Sequence, residues 1–206
     1  ISMMAMPETT IALFPDIGAS WFMPRVPDRI GIWAALTSAR LGPGDCLAAG
    51  LATHFVPRAE IAAVQEALAQ DGIAALDACT AKPPPETLDA ATRAAIARCF
   101  APDSIPGIVA ALEAEGTDWA KAQLAALRAA SPTSLFVSLE VMRRNATAPL
   151  AQALQTELRL TRAVTRHPDF LEGVRAQVVE KTRDPKWQPA TIEQVDPAAI
   201  AAMFEG

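Results

Sequence analysis

The chain has 206 residues and a mass of 21.8 kDa; 51% of its residues are hydrophobic and 20% are charged. That is enough apolar material for a core and excludes wholesale disorder, at a length that suits one domain or one and a half. A net charge of −5 and a pI near 5.1 argue against a nucleic-acid binder, and no apolar run in the sequence approaches a membrane span.

In chain order, residues 1–7 are apolar from Ile1 to Met6 and end at Pro7, which predicts a short buried strand leading into a loop. Glu8 to Asp16 reads as a connection with a brief extended piece over 10–14. Pro15-Asp16-Ile17-Gly18 predicts a helix start, with Asp16 as its N-cap and Pro24 as its stop. Apolar positions at Ile32, Ala35, Leu36 and Ala39 predict a helix over 28–39. Gly42-Pro43-Gly44-Asp45 is a turn whose Asp45 can cap a helix over 46–50, and Leu51 to Val56 reads as a second short strand. From Arg58 the pattern is helical. Ile61, Val64, Ala67 and Leu68 share one face, and Pro83-Pro84-Pro85 marks a linker. Helices are then expected at 86–98, 104–115, 117–129, 132–145, 149–166 and 170–182, with Ser131 capping the fourth of these. Residues 184–189 are irregular, and a short helix near 197–204 closes the chain. The two strands need partners that this pattern does not supply.

Few residues can carry chemistry. Cys46, Cys79 and Cys99 are odd in number and far apart, so a disulfide scaffold or zinc ribbon is not expected and a reducing compartment fits. Arg outnumbers Lys fourteen to four in an alanine-rich chain, a bias that suits high-GC bacterial codon usage, and the expected location is the bacterial cytoplasm. There is no G-x-S-x-G and no glycine-rich phosphate loop. His54 reads as a half-buried strand histidine and His167 as a capping or surface residue, neither spaced with carboxylates as a metal ligand. The remaining candidate is a carboxylate pair, Glu8 and Asp16, each following a proline on one connection. Two carboxyls on one loop can divide acid and base labour when their environments differ. The alternative is an N-cap for Asp16 and a solvated turn for Glu8.

The segment Met6-Pro7-Glu8-Thr9-Thr10-Ile11-Ala12-Leu13-Phe14-Pro15-Asp16-Ile17-Gly18 resembles the signature of the 3-hydroxyisobutyryl-CoA hydrolase branch of the enoyl-CoA hydratase/isomerase (crotonase) superfamily. The likeness continues through Leu36-Thr37 and from Asp45 to His54. It returns at Ser131-Pro132-Thr133-Ser134-Leu135, from Asp169 to Ala176, and at Pro185-Lys186-Trp187-Gln188-Pro189, and so spans nearly the whole chain. The fold it implies is α/β: the C-terminal portion of a crotonase-like ββα spiral over 1–57, with the catalytic loop, and a mainly α-helical region over 58–206. Ile1 would then fall on an inner strand.

The resemblance implies that Glu8 is the catalytic base, or the nucleophile of a mixed anhydride. Asp16 would bind the hydroxyl end of the substrate and assist proton transfer. Glu8, Asp16, Phe14 and Gly18 would form the substrate-binding set. Many hydratases and isomerases carry glycine at the position of Asp16, so Asp16 favours hydrolysis. Ala19-Ser20-Trp21 replace the glycines that usually follow Gly18, which bears on the shape of the acyl pocket. The family's oxyanion-hole N–H groups come from segments N-terminal to this one, so the chain alone is expected to be inactive and to need that segment. Arg175, Lys181 and Lys186 could serve the phosphates of CoA, with a surface role as the equal alternative. The expected activity is hydrolysis of 3-hydroxyisobutyryl-CoA in valine catabolism. A hydratase or isomerase, or a non-catalytic fragment, are the alternatives. The expected partner is an acyl-CoA substrate, with no metal and no cofactor beyond the CoA of that substrate. Self-association through the helical region is compatible with the family.

Overall fold

A computed structural model describes residues 2–205; Ile1, expected on a strand, lies outside them. The helices are α1 (Ala19–Phe22), α2 (Ile30–Thr37), α3 (Pro43–Ala48), α4 (Ile61–Asp71), α5 (Ala90–Cys99), α6 (Ile105–Glu115), α7 (Asp118–Ala129), α8 (Pro132–Asn145), α9 (Leu150–Val164), α10 (Pro168–Val174) and α11 (Pro197–Met203). A π-helical turn over Arg175–Val179 continues α10. None of the described helices is long and apolar enough to cross a membrane.

The β part of the α/β expectation shrinks, among the described residues, to one isolated antiparallel bridge between Met4 and Leu41. The strands expected at 1–7 and 51–56 do not form. An apolar run becomes a strand only when neighbouring backbone pairs with its N–H and C=O groups. Here only Met4 finds such a neighbour, through reciprocal bonds with Leu41 of 2.9 and 2.8 Å. His54 is accordingly exposed in coil, its Nδ1 2.9 Å from Thr53 Oγ1, and not the half-buried strand residue expected.

The chain divides into two compact units. One comprises the residues up to Met4 together with Leu41–Asp89; the other comprises Ala5–Arg40 and Ala90–Gly206. In the first unit Asp45 is the organising residue. It has no exposed surface, and its carboxylate accepts from Gly42 N (3.1 Å), Thr87 N (2.7 Å), Thr87 Oγ1 (2.8 Å) and Leu88 N (3.0 Å). Burial alone would raise its pKa, but these donors together hold it below the usual carboxylate value. They also explain why α5 starts at Ala90 and not at 86: Thr87 and Leu88 are committed to Asp45.

The second unit is built around α2. Its residues from Ile30 to Leu36 are all buried, as befits a helix that is apolar on every side. It packs against α5, α7 and α8 and against the 3-10 turn Glu8–Ile11. Of the helix caps expected, Ser131 forms as predicted, whereas α3 begins at Pro43, ahead of Asp45, and not at 46. Ser131 Oγ accepts from Ser134 N, Ser104 Oγ from Gly107 N, and His167 Nδ1 from Asp169 N, so His167 is a cap. The helix expected to start with Asp16 as a side-chain cap begins instead at Ala19, after Gly18.

Asp45→Ala leaves four donors without their acceptor and is expected to destabilise the chain by about 3 kcal/mol. Urea unfolding followed by circular dichroism checks this; a loss below about 1 kcal/mol would contradict the role given to Asp45.

Candidate active site

The connection from Glu8 to Gly18 is short, and it is fixed at several points by distant helices. Glu8 opens the 3-10 turn Glu8–Ile11. Its carbonyl accepts from Ala12 N and Leu13 N, which closes the turn with Ala12 in the left-handed region at φ 56°. The N-terminus of α8 holds this turn from one side. Ser131 N donates to Thr9 O at 3.1 Å, and Ser134 Oγ donates to Leu13 O. On the other side α10 presents Gly173 directly to Ile11. A Cβ at position 173 would lie 2.6 Å from the Ile11 backbone, so only glycine permits this approach. α10 is in turn tied to α8 by the buried Asp169, which accepts from Ser131 Oγ at 2.9 Å and from Gln188 N at 2.7 Å.

Between the two carboxylates stands Phe14. Its side chain has no exposed surface and packs with Val137, Val141, Leu160, Val164, Val195 and Ile200. Phe14, expected in the substrate-binding set, is a core anchor for the loop. Burying a phenylalanine side chain contributes about 2–3 kcal/mol, which fixes the loop midway between Glu8 and Asp16.

After Phe14 and Pro15 the chain makes the tight turn Asp16–Ala19, closed by Ala19 N donating to Asp16 O at 2.8 Å. Ile17 and Gly18 are both left-handed, with φ of 49° and 89°. For a β-branched residue this is unfavourable by about 1–3 kcal/mol, and Ile17 is also 86% exposed. Gly18, also expected in the substrate-binding set, is committed to the protein's own framework. It is buried, and its N–H is donated to Glu157 Oε2 at 2.9 Å. Ser20 Oγ donates to Glu157 Oε1 and accepts from Asn145 Nδ2 at 2.8 Å. Glu157 and Asn145 were not singled out from the sequence. A signal was present: Glu157 lies on the buried stripe of α9 formed by Ala153, Leu160 and Val164, where an acidic residue requires partners.

The loop brings Glu8 and Asp16 within electrostatic reach of each other. Burial pushes the Glu8 carboxyl up from its ordinary 4.5 to about 7, with the charge of Asp16 adding to the rise and a backbone hydrogen bond opposing it. Glu8 Oε2 is buried and has no hydrogen-bond partner among the described residues. Glu8 is thus a carboxyl poised between its two protonation states near neutral pH, with one oxygen uncommitted. Such a group can take a proton from a bound molecule or return one.

Arg175 is spent elsewhere. It is bound by Glu172 at 2.8 Å, by Glu180, and by Asp184 at 3.6 Å. Lys186 lies 3.9 Å from Asp184. These contacts favour the surface role over a free phosphate contact for Arg175. Among the described residues no group of three or more His, Cys, Asp or Glu could hold a metal ion.

The enoyl-CoA hydratase/isomerase family model matches residues 1–204. The chain belongs to that family. It is 37% identical over 216 residues to a probable 3-hydroxyisobutyryl-CoA hydrolase of Arabidopsis thaliana, covering 98% of this chain and 57% of the relative. It is 35% identical to the mitochondrial 3-hydroxyisobutyryl-CoA hydrolase of Homo sapiens, covering 93% and 52%. The chain thus spans little more than half the length of these relatives. Among solved structures it superposes on a carnitinyl-CoA dehydratase from Mycobacterium thermoresistibile with a TM-score of 0.89 and 37% identity. The match covers 98% of this chain and 59% of that one. An enoyl-CoA hydratase from Rhodobacter sphaeroides gives a TM-score of 0.88 at 38% identity, with the same shares covered. The fold is therefore crotonase-like, represented here mainly by its helices.

The raised pKa of Glu8 has a consequence for stability. Below pH 4.5 the carboxyl is protonated in both folded and unfolded chains, and above about 7 it is ionised in both. Between these values the folded chain binds the extra proton, so the contribution of Glu8 to stability falls as pH rises through that window. Glu8→Gln removes this loss. Its melting temperature is expected to exceed that of the parent by more at pH 8 than at pH 4.5, as read by differential scanning calorimetry. A pH-independent difference would contradict the assignment.

Proposed function

We propose that this chain carries the acid–base pair of an acyl-CoA thioester hydrolase acting on a short hydroxyacyl thioester of the 3-hydroxyisobutyryl-CoA type. The observation that carries the reading is Glu8: a half-buried carboxyl with one shielded, uncommitted oxygen and a pKa raised to about 7 by burial and, to a lesser degree, by the charge of Asp16. The names of the relatives support the choice of thioester and acyl group.

In this reading the ionised Glu8 takes a proton from water as its oxygen attacks the thioester carbonyl carbon. The tetrahedral adduct then collapses: the C–S bond breaks, and the proton held by Glu8 passes to the departing CoA sulfur. The products are the free hydroxy acid and CoA thiol. A variant of the same chemistry has the ionised Glu8 attack the carbonyl carbon and expel CoA as its thiolate; water then opens the mixed anhydride, releasing the hydroxy acid and restoring the Glu8 carboxylate, with the proton from water passing to the CoA sulfur. Asp16 orients the substrate hydroxyl and keeps the Glu8 pKa high. The oxyanion donors of the site are assigned to segments N-terminal to this one, so activity belongs to the intact protein.

The likeness to a carnitinyl-CoA dehydratase and an enoyl-CoA hydratase favours a second reading, in which the same carboxyl pair adds or removes water across a carbon–carbon double bond. Incubating the intact protein with the hydroxyacyl thioester and with crotonyl-CoA separates the two. Release of free thiol from the former supports hydrolysis, whereas hydration of the latter without thiol release supports the second.

In the intact protein Glu8→Gln is expected to lower kcat by about 10³-fold, and Asp16→Asn by a smaller factor. The kcat/KM of the parent is expected to rise with pH through about 7, as Glu8 loses its proton. A Glu8→Gln variant with near-parental kcat would overturn the assignment.

A further inference from the structure

We infer that Glu157 is a positioning residue for Asp16, acting through the backbone of the turn that carries it; the inference rests on the hydrolase reading above.

Three observations point there. Glu157 is almost fully buried, with 4% of its surface exposed, on the inward stripe of α9. Both of its oxygens are used by the segment that immediately follows Asp16: Oε2 accepts the Gly18 N–H at 2.9 Å, and Oε1 accepts the Ser20 hydroxyl proton. The Ser20 oxygen is itself fixed by Asn145 Nδ2 at 2.8 Å, so α8 and α9 hold this segment together. The held backbone is also the one least able to keep its shape alone, because Ile17 and Gly18 occupy the left-handed region in succession. Without an acceptor for the Gly18 N–H the turn can relax to an ordinary conformation, and Asp16 then turns away from Glu8. A buried carboxylate with both oxygens committed to one turn is costly to desolvate, and a single neutral acceptor would satisfy the Gly18 amide. The second oxygen, with Ser20, prevents rotation of the carboxylate and so fixes the direction of the turn.

A role through Asp16 differs from a merely structural role in its coupling. In the intact protein Glu157→Ala is expected to lower kcat by about 10²-fold, with KM changed less than about threefold. In an Asp16→Asn background the same substitution is expected to lower kcat by less than about threefold, since the group it positions is already impaired. Equal losses in the two backgrounds, or a loss confined to KM, would overturn the inference. Should Glu157→Ala fail to fold, Glu157→Gln serves the same cycle. It keeps one acceptor and orphans the Ser20 hydroxyl, and about a tenfold loss is expected that again vanishes with Asp16→Asn.

A second readout does not depend on catalysis. Hydrogen exchange of the Gly18 amide is expected to speed by at least about tenfold in Glu157→Ala, while the amides of α2 are unchanged. Unchanged exchange at Gly18 would overturn the clamp. A parent protein that releases no thiol would overturn the hydrolase reading, and the exchange result would still decide whether Glu157 holds the turn.

Discussion

The arrangement of this site depends on keeping one carboxyl, that of Glu8, half-buried with one oxygen shielded and, among the described residues, without a cationic partner. A buried carboxylate that meets an arginine becomes a stable ion pair with a depressed pKa and little basicity. The first unit shows the neutral counterpart of that outcome at Asp45, where four hydrogen-bond donors hold an inaccessible carboxylate in its charged form. Glu8 is treated in the opposite way. Burial and a neighbouring negative charge raise its pKa, and one oxygen is left unpaired. The same functional group, a carboxyl, is therefore held ionised in one place and pushed toward its protonated form in the other, and the difference lies in the donors supplied.

Holding an unpaired carboxyl in place requires that its surroundings do not collapse onto it. The loop is restrained by contacts that Glu8 itself does not make. Ser131 and Ser134 hold it from α8, Gly173 abuts it from α10, and Phe14 sits in the core. Asp169 binds these supports to each other through Ser131 and Gln188. The strained turn at Ile17 and Gly18 belongs to the same design, with Glu157 offsetting its tendency to relax. Local strain persists where the surrounding structure over-determines it, and here the determinants come from α8 and α9.

The site was legible in the sequence to the extent that it is local. Glu8 and Asp16 lie on one short connection, each after a proline, and a reader of the chain meets them together. Glu157 was not legible in that way, because it lies 139 residues from Gly18 and its partner is a backbone N–H with no side-chain signature. Only its place on the apolar stripe of α9 betrays it. The core role of Phe14 is not legible in the same way, because an aromatic residue between two carboxyls reads equally well as substrate contact or as core, and only packing shows the latter. Helices were read well where a capping residue marks the start, as at Ser131, Ser104 and Asp196. The strands were overread for a physical reason. The apolar character of residues 1–7 suits a strand, but a strand is completed by its neighbours, and Met4 has one only in Leu41.

The central claim is that burial and the charge of Asp16 poise Glu8 near neutrality. Titration of the Glu8 side-chain carboxyl by ¹³C NMR, with Asp16→Asn as the comparison, tests it most directly. The account predicts a midpoint near 7 in the parent and a lower one in the variant. A midpoint at the ordinary 4.5, unmoved by the substitution, would contradict it.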